Sequence, residues 1–228
     1  MLLKDIPLFK GLSDEVLEAL ERVSVVKTFP KNTILFSEGD QSDSFYIIRS
    51  GKVNVGINDE EGREVILSIL GPGEYFGEIA LMDGEPRSAY VMTKEPSQLI
   101  IISKSDFHEL LSNHPDIMTN LFRGLLKRFR EANKKIESLA LMDVYGRVAR
   151  LLTHLAATSG KKADGGPADL SSDERVTINE RLTHQEIANM VGASREMVSR
   201  VLKELSNEGY ISTEKKYITI EKKLPYQW

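Results

Sequence analysis

Phe122, Leu125, Phe129, Ala132, Ile136 and Leu139 recur at spacings of 3, 4, 3, 4 and 3. That is a heptad seam, and nothing else in the 228-residue chain constrains its fold so strongly. Pro115 can open the helix that carries it. Run from Asp116 to about Leu141, this helix spans ~39 Å at 1.5 Å per residue, more than the diameter of a small domain. The plain alternative is a helix packed on its own domain, but the length and regularity of the stripe predict a two-stranded dimer contact. The outer face is basic, with Arg123, Lys127, Arg128, Arg130, Lys134 and Lys135 against Glu131, charges expected to be mostly solvated.

Before the seam the apolar period is different. Ser13, followed by Asp14 and Glu15, reads as a helix start, and Val16, Leu17, Leu20 and Val23 give that helix its apolar stripe. From about Val25 to Ser103 come short β-rich runs, among them "NTILFSEG", "SFYIIRSGKVNVGI", "REVILSIL" and "QLIIIS". Gly39-Asp40, Ser50-Gly51, Glu61-Gly62 and Gly71-Pro72-Gly73 punctuate them. Many short strands at such spacing predict an antiparallel sandwich or barrel-like roll. Between two of the runs lies "FGEIALMDGEPRSAY", Phe76 to Tyr90, an unusual mixture of glycines, acids and one Arg-Ser pair.

After the seam, "VYGRVARLLTHLAAT" reads as an amphipathic helix and "SGKKADGGPADLSSDE" as a flexible loop. In "LTHQEIANMVGASREMVSRVLKELSNEGYI", Thr183 and Glu186 have capping-box spacing, Gly192 ends the first helix and Ser194 caps the second. Two helices joined by a three-residue turn containing glycine make a helix-turn-helix, and "YISTEKKYITIEKK" reads as a hairpin wing. Arg195, Glu196, Ser199 and Arg200 share one outward face near the start of the second helix, the end that reads bases in such units. An arginine fork matches guanine O6 and N7, a glutamate accepts from cytosine N4, and a serine hydroxyl suits either partner.

Composition removes several classes of function. With no cysteine, thiolate iron-sulfur ligation and cysteine-based zinc sites are excluded. The four histidines, His108, His114, His154 and His184, lack metal-site spacing and are expected to be surface or packing residues, so no metal or haem is expected. No nucleophile-base pair or carboxylate pair suggests an enzyme. An apolar run of ~18 residues is missing, as is a basic-then-apolar leader, so a soluble cytoplasmic protein is expected. The net charge of -4 hides an asymmetry: residues 144–228 hold 13 Lys+Arg against 11 Asp+Glu, whereas residues 1–143 hold 17 against 23. The rear module is weakly positive and can meet phosphate.

"FGEIALMDGEPRSA", "LALMDVYGRVARLL" and "LTHQEIANMVGASREMVSRVLKEL" together resemble the bacterial transcription regulators of the cyclic AMP receptor protein and FNR family, over the whole chain. The resemblance implies an α+β chain. Residues 1–114 would form an antiparallel β-roll (a cyclic nucleotide-binding domain, or double-stranded β-helix), 115–142 a dimerisation helix and hinge, and 143–228 a winged helix-turn-helix. It also implies that the opening stretch is a phosphate-binding cassette. Arg87 would pair with a cyclic phosphodiester, Ser88 and nearby amides, with Ile79 and Ala80 among the binding positions, would complete the cradle, and Glu78 would accept from the ribose 2'-hydroxyl. Gly77 would let the backbone approach the sugar, and Arg128 matches the family's helix arginine near Glu78.

Ala132 and Asn133 stand where the cyclic AMP receptor protein has a Thr-Ser pair over the purine. The threonine is gone, so its purine contact must be replaced; the resemblance as a whole still implies cyclic AMP as the effector, with cyclic GMP, cyclic di-GMP or a ligand-independent regulator of the same fold as alternatives. Arg195, Glu196 and Arg200 match readers of TGTGA half-sites, while Glu196, Ser199 and Arg200 also spell the pattern of TTGAT readers. Thr183 and Gln185 would hold backbone phosphate, with His184 replacing a common arginine. A homodimer on an inverted repeat of double-stranded DNA, with RNA polymerase as a further partner, completes what the resemblance implies. FNR-type oxygen sensing would need cluster cysteines, and kinase or channel modules lack "GASREMVSR".

Overall fold

The computed structural model describes residues 3–162, 175–214 and 216–225. It forms two compact units, Met1–Arg130 and Glu131–Trp228, which divide within the long helix.

In the first unit two short 3₁₀ turns, Leu3–Asp5 and Pro7–Phe9, precede helix α1, Asp14–Val23. Eight strands follow: β1 Ser24–Phe29, β2 Ile34–Phe36, β3 Ser44–Ser50, β4 Val53–Asn58, β5 Glu64–Leu70, β6 Tyr75–Phe76, β7 Tyr90–Thr93 and β8 Ser97–Ser103. They form two four-stranded sheets, β1-β8-β3-β6 and β2-β7-β4-β5, with every pairing antiparallel. Side chains alternate across β3 as the pleat requires. Phe45 and Ile47 join a core that also takes in Leu20, Phe107, Ile117 and Leu121, whereas Ile48 packs between the sheets with Val53, Phe76 and Val91. The roll expected from the short apolar runs is present. The two-residue strand β6, which leads into the glycine-acid stretch, has no period long enough to be read.

Helix α2, Ile79–Asp83, interrupts the sheet order between β6 and β7, and α3, Lys104–Asn113, follows β8. Ser103 caps α3 by accepting from the Asp106 amide at 3.2 Å. Helix α4, Pro115–Leu141, is the helix predicted from the seam. Its first turns are anchored, because Ile117 and Leu121 are buried. The seam itself is not: Phe122, Phe129 and Ile136 are each 60–62 % exposed, with Leu139 and Leu141 also open to solvent.

The second unit begins its own core with α5, Val144–Ser159, capped by Asp143, which accepts from the Gly146 amide at 2.8 Å. Strand β9, Gly160–Lys162, pairs with β10, Val176–Ile178, so the start of the segment expected as a loop is ordered structure. The remainder, from residue 163 to 174, lies outside the described residues. Helices α6, His184–Val191, and α7, Arg195–Asn207, are followed by the hairpin β11, Ile211–Glu214, and β12, Tyr217–Ile220. Val148, Leu152, Ile187, Val198, Leu205 and Ile218 lie in one core. Arg147 fixes the helix-turn-helix from beneath. Its guanidinium donates to the carbonyls of Val191 at 2.9 Å, Gly192 at 3.3 Å and Met142 at 3.0 Å. This places a cation where the α6 dipole ends negative.

Candidate functional site

The cassette is built around an arginine that the fold has already taken out of water. Arg87 is 4 % exposed. Its backbone is held from both sides, donating to Asp40 O at 2.9 Å and accepting from Gly39 N at 2.8 Å. Its guanidinium donates to Gly77 O at 2.9 Å and, across 43 positions, to Ser44 O on β3 at 2.8 Å. It also lies over the Phe36 ring, 4.1 Å from the centroid, and near Tyr46. The buried Nε–H has no hydrogen-bond partner. A buried donor left without an acceptor costs about 1–3 kcal/mol, which a bound anion would recover. Burial lowers the pKa of Arg87, opposed by Tyr46 and nearby carboxylates.

Gly77 is required by two constraints. Its φ is +83°, in the left-handed region, and a Cβ there would stand 2.6 Å from Arg87 Nη1. Glu78, the N-cap residue of α2, is 1 % exposed. Its Oε1 accepts from Arg128 Nη1 of α4 at 2.7 Å. Burial raises the Glu78 pKa, and Arg128 and Arg87 pull it down. Arg128 also donates to the Tyr75 carbonyl and lies 4.7 Å from the centre of the Tyr75 ring.

The structure thus brings together Gly77, Glu78, Arg87 and Arg128. Ala80 is on the buried side of α2, while Ile79 and Ser88 are exposed. Ala132 and Asn133 are exposed on α4 and belong to the second unit.

Several supporting residues escaped the reading of the sequence. Phe36, Ser44 and Tyr46 reach Arg87 only through strand pairing. His108 holds the cassette helix, its Nε2 lying 2.9 Å from Leu81 O; since a carbonyl only accepts, Nε2 carries the proton. Tyr75 donates from its buried hydroxyl to Leu121 O at 3.2 Å, and burial pushes its pKa up to about 12. This approach needs Gly124, where a Cβ would fall 1.9 Å from the Tyr75 hydroxyl. A glycine inside a long helix was the available signal, because it costs about 1 kcal/mol relative to alanine unless something packs against it.

In the second unit the predicted caps form. Thr183 and Glu186 make the full capping box, Gly192 adopts the left-handed C-cap, and Ser194 accepts from Met197 N at 3.2 Å. The Thr183 hydroxyl also donates to Glu186 Oε2 at 2.8 Å, and Gln185 donates to Asn189 Oδ1 at 2.7 Å. Arg195, Glu196 and Arg200 are exposed on α7, with Ser199 half-buried among them. Among the described residues no helix is long and apolar enough to cross a membrane, and no group of three or more His, Asp or Glu could hold a metal.

A roll with a buried cationic cradle, joined to a winged helix-turn-helix, defines the class of DNA-binding regulators that sense a small anionic ligand. Residues 26–114 match the cyclic nucleotide-binding domain, and residues 146–223 the Crp-like helix-turn-helix domain. The chain is 34% identical over 213 residues to the CRP-like cAMP-activated global transcriptional regulator of Mycobacterium tuberculosis, covering 93% of this chain and 91% of the relative. It is equally 34% identical over 212 residues to the cAMP-activated global transcriptional regulator CRP of Salmonella typhimurium, covering 92% and 96%. Among solved structures, the c-di-GMP responsive global regulator CLP of Xanthomonas campestris superposes with a TM-score of 0.77 at 27% identity, covering 91% of this chain and 99% of that one. The Thermus thermophilus catabolite activator protein gives 0.54 at 30% identity, covering 94% and 93%. The chain belongs to the CRP/FNR family of transcription regulators. Its curated relatives are DNA-binding regulators, not enzymes.

Proposed function

We propose that the protein is a homodimeric transcription regulator whose DNA affinity is switched by cyclic AMP. The observation that carries this reading is the buried Arg87, with an unpartnered Nε–H, beside the Glu78–Arg128 pair. A cyclic phosphodiester is a monoanion, and a buried monoanion needs a cation with oriented donors. Arg87 pairs with the phosphate, Ser88 and the amides near Ile79 and Ala80 add donors, and Glu78 accepts from the ribose 2'-hydroxyl. Asn133 offers an amide for a base edge in place of the family's hydroxyl pair. The exposed seam of Phe122, Phe129 and Ile136 supports dimerisation, since apolar side chains of that size at heptad spacing are buried by a second copy.

Each subunit then presents Arg195, Glu196, Ser199 and Arg200 to one half of an inverted repeat with TGTGA- or TTGAT-like half-sites, Thr183 and Gln185 approach the backbone, and RNA polymerase is the further partner. Effector must bind the DNA-competent state better. A shift from 1:99 to 99:1 needs a preference of ~10⁴-fold. Two observations favour cyclic di-GMP as a second reading: Ala132 offers no hydroxyl for the base contact, and a similar solved structure is that of the c-di-GMP responsive regulator CLP.

Isothermal titration with cyclic AMP, cyclic GMP and cyclic di-GMP, paired with DNA-binding isotherms, tests the proposal. Cyclic AMP should bind and raise affinity for the inverted repeat. Heat only with cyclic di-GMP would favour the second reading, and equal DNA affinity with and without saturating nucleotide would overturn the switch.

A further inference from the structure

One polar contact joins the two helices of the helix-turn-helix on its outer side. His184 Nδ1, at the first position of α6, lies 2.7 Å from Ser199 Oγ, on the second turn of α7. The partners are 15 positions apart, and the packing of α6 on α7 sets their distance. The neighbouring polar groups are already committed, Thr183 to its capping box and Gln185 to Asn189.

We propose that His184 is a positioning residue for base reading: it fixes the Ser199 hydroxyl so that this serine reads one base pair with one polarity, and it does not serve as a phosphate contact. A free serine hydroxyl rotates, and can either donate or accept. Bonded to an imidazole nitrogen that accepts its proton, it keeps a single polarity. If Nδ1 accepts the hydroxyl proton, Oγ is left to accept from cytosine N4 or adenine N6. Were Nδ1–H to donate instead, the hydroxyl would keep both its proton and its second lone pair, and no selection would follow. The tautomer with its proton on Nε2 removes one polarity, so the pair discriminates where an isolated serine would tolerate both kinds of partner. The pair gains selectivity at one position of each half-site.

The inference rests on the DNA-binding reading above, and the experiment separates the two. Full-length protein with saturating cyclic AMP is titrated by fluorescence anisotropy onto the inverted repeat, onto a panel with each half-site position substituted, and across a salt series. His184→Ala and Ser199→Ala should each weaken the parent repeat by roughly 5-fold per half-site, the worth of one neutral hydrogen bond. The loss should vanish on the operator substituted at one shared position, and the double variant should lose no more than either single. His184→Asn keeps a hydrogen-bonding group near the place of Nδ1 and should retain most of the discrimination. The slope of log affinity against log salt should not change. A uniform loss across the panel, with a slope shallower by about 1 per subunit, would make His184 a phosphate contact and overturn the proposal. Additive losses, or none from His184→Ala, would overturn it equally. Wild-type protein that binds no operator with or without nucleotide would instead sink the DNA-binding reading itself.

Discussion

In the proposed function the roll and the reading helix both present arginines to phosphate-bearing partners, but under opposite conditions. Arg87 is 4 % exposed and already held by two backbone carbonyls and an aromatic ring, whereas Arg195 and Arg200 stand in solvent on α7. The cassette has met the cost of stripping water from its cation during folding, so a ligand finds a desolvated donor in a fixed direction. The reading helix defers that cost until DNA arrives. A buried charge makes residue identity nearly inflexible, because any substitute must satisfy the same carbonyls. An exposed one leaves identity free and lets base-pair complementarity decide.

The largest expected effect tests the buried side of this contrast. Arg87→Ala should lower cyclic AMP affinity by at least ~100-fold, since two charge-assisted bonds are worth about 1.5–3 kcal/mol each. Arg87→Lys should recover little, because an ammonium has neither the fork nor the plane that lies over Phe36. Isothermal titration reads both, and near-normal binding by the lysine variant would show that charge alone suffices. The exposed side gives a smaller and differently shaped loss. Arg200→Ala should cost about 1–3 kcal/mol on the parent repeat and relax preference at one base pair while sparing nucleotide binding. Operator panels by anisotropy would check this, and a loss equal on every operator would contradict base reading by Arg200.

What could be read from sequence follows the same division between near and far. Caps at Thr183, Ser194 and Ser103 close over three residues, so type and spacing were enough for the first two. Gly77, Glu78 and Arg87 sit in one short motif, and the stripe from Phe122 to Leu139 announced its helix. Ser44, Phe36 and Tyr46 reach Arg87 by antiparallel register, and no local pattern encodes a pairing across 43 positions. Strand β6 is too short to show alternation, yet its pairing of Tyr46 with Phe76 carries the cassette to β3. His108 looked like an ordinary packing residue until its Nε2 was found on the α2 carbonyl.

Gly124 sharpens the contrast through packing. Replacing an exposed helix glycine with alanine normally stabilises by about 0.5–1 kcal/mol. Here the new Cβ would lie 1.9 Å from the Tyr75 hydroxyl, so Gly124→Ala should destabilise the protein by about 1–2 kcal/mol in urea unfolding. Tyr75→Phe removes the clashing oxygen and leaves the nearest ring carbon at 3.1 Å, so alanine should be far better tolerated in that background. Stabilisation by Gly124→Ala alone would mean that Tyr75 moves aside without cost.

The smallest effect concerns the acid of the cassette, and its sign distinguishes burial from pairing. If pairing with Arg128 dominated, the Glu78 pKa would fall on folding and stability would be lost on acidification. Burial instead raises it above the ordinary 4.5, so the folded protein binds the proton more tightly than the unfolded chain does. Stability from this group is then fully present below 4.5 and declines as pH rises through the raised pKa, because the folded state holds more protons in that window. Glu78→Gln keeps the shape and cannot ionise. Relative to wild type, the variant should gain stability as pH is raised from 4.5 toward neutrality, a gain that the compensating Arg128 pair keeps small. Paired thermal melts across that range measure the difference. A difference moving the other way would show that the ion pair outweighs desolvation, making the cassette less unlike the solvated face of α7.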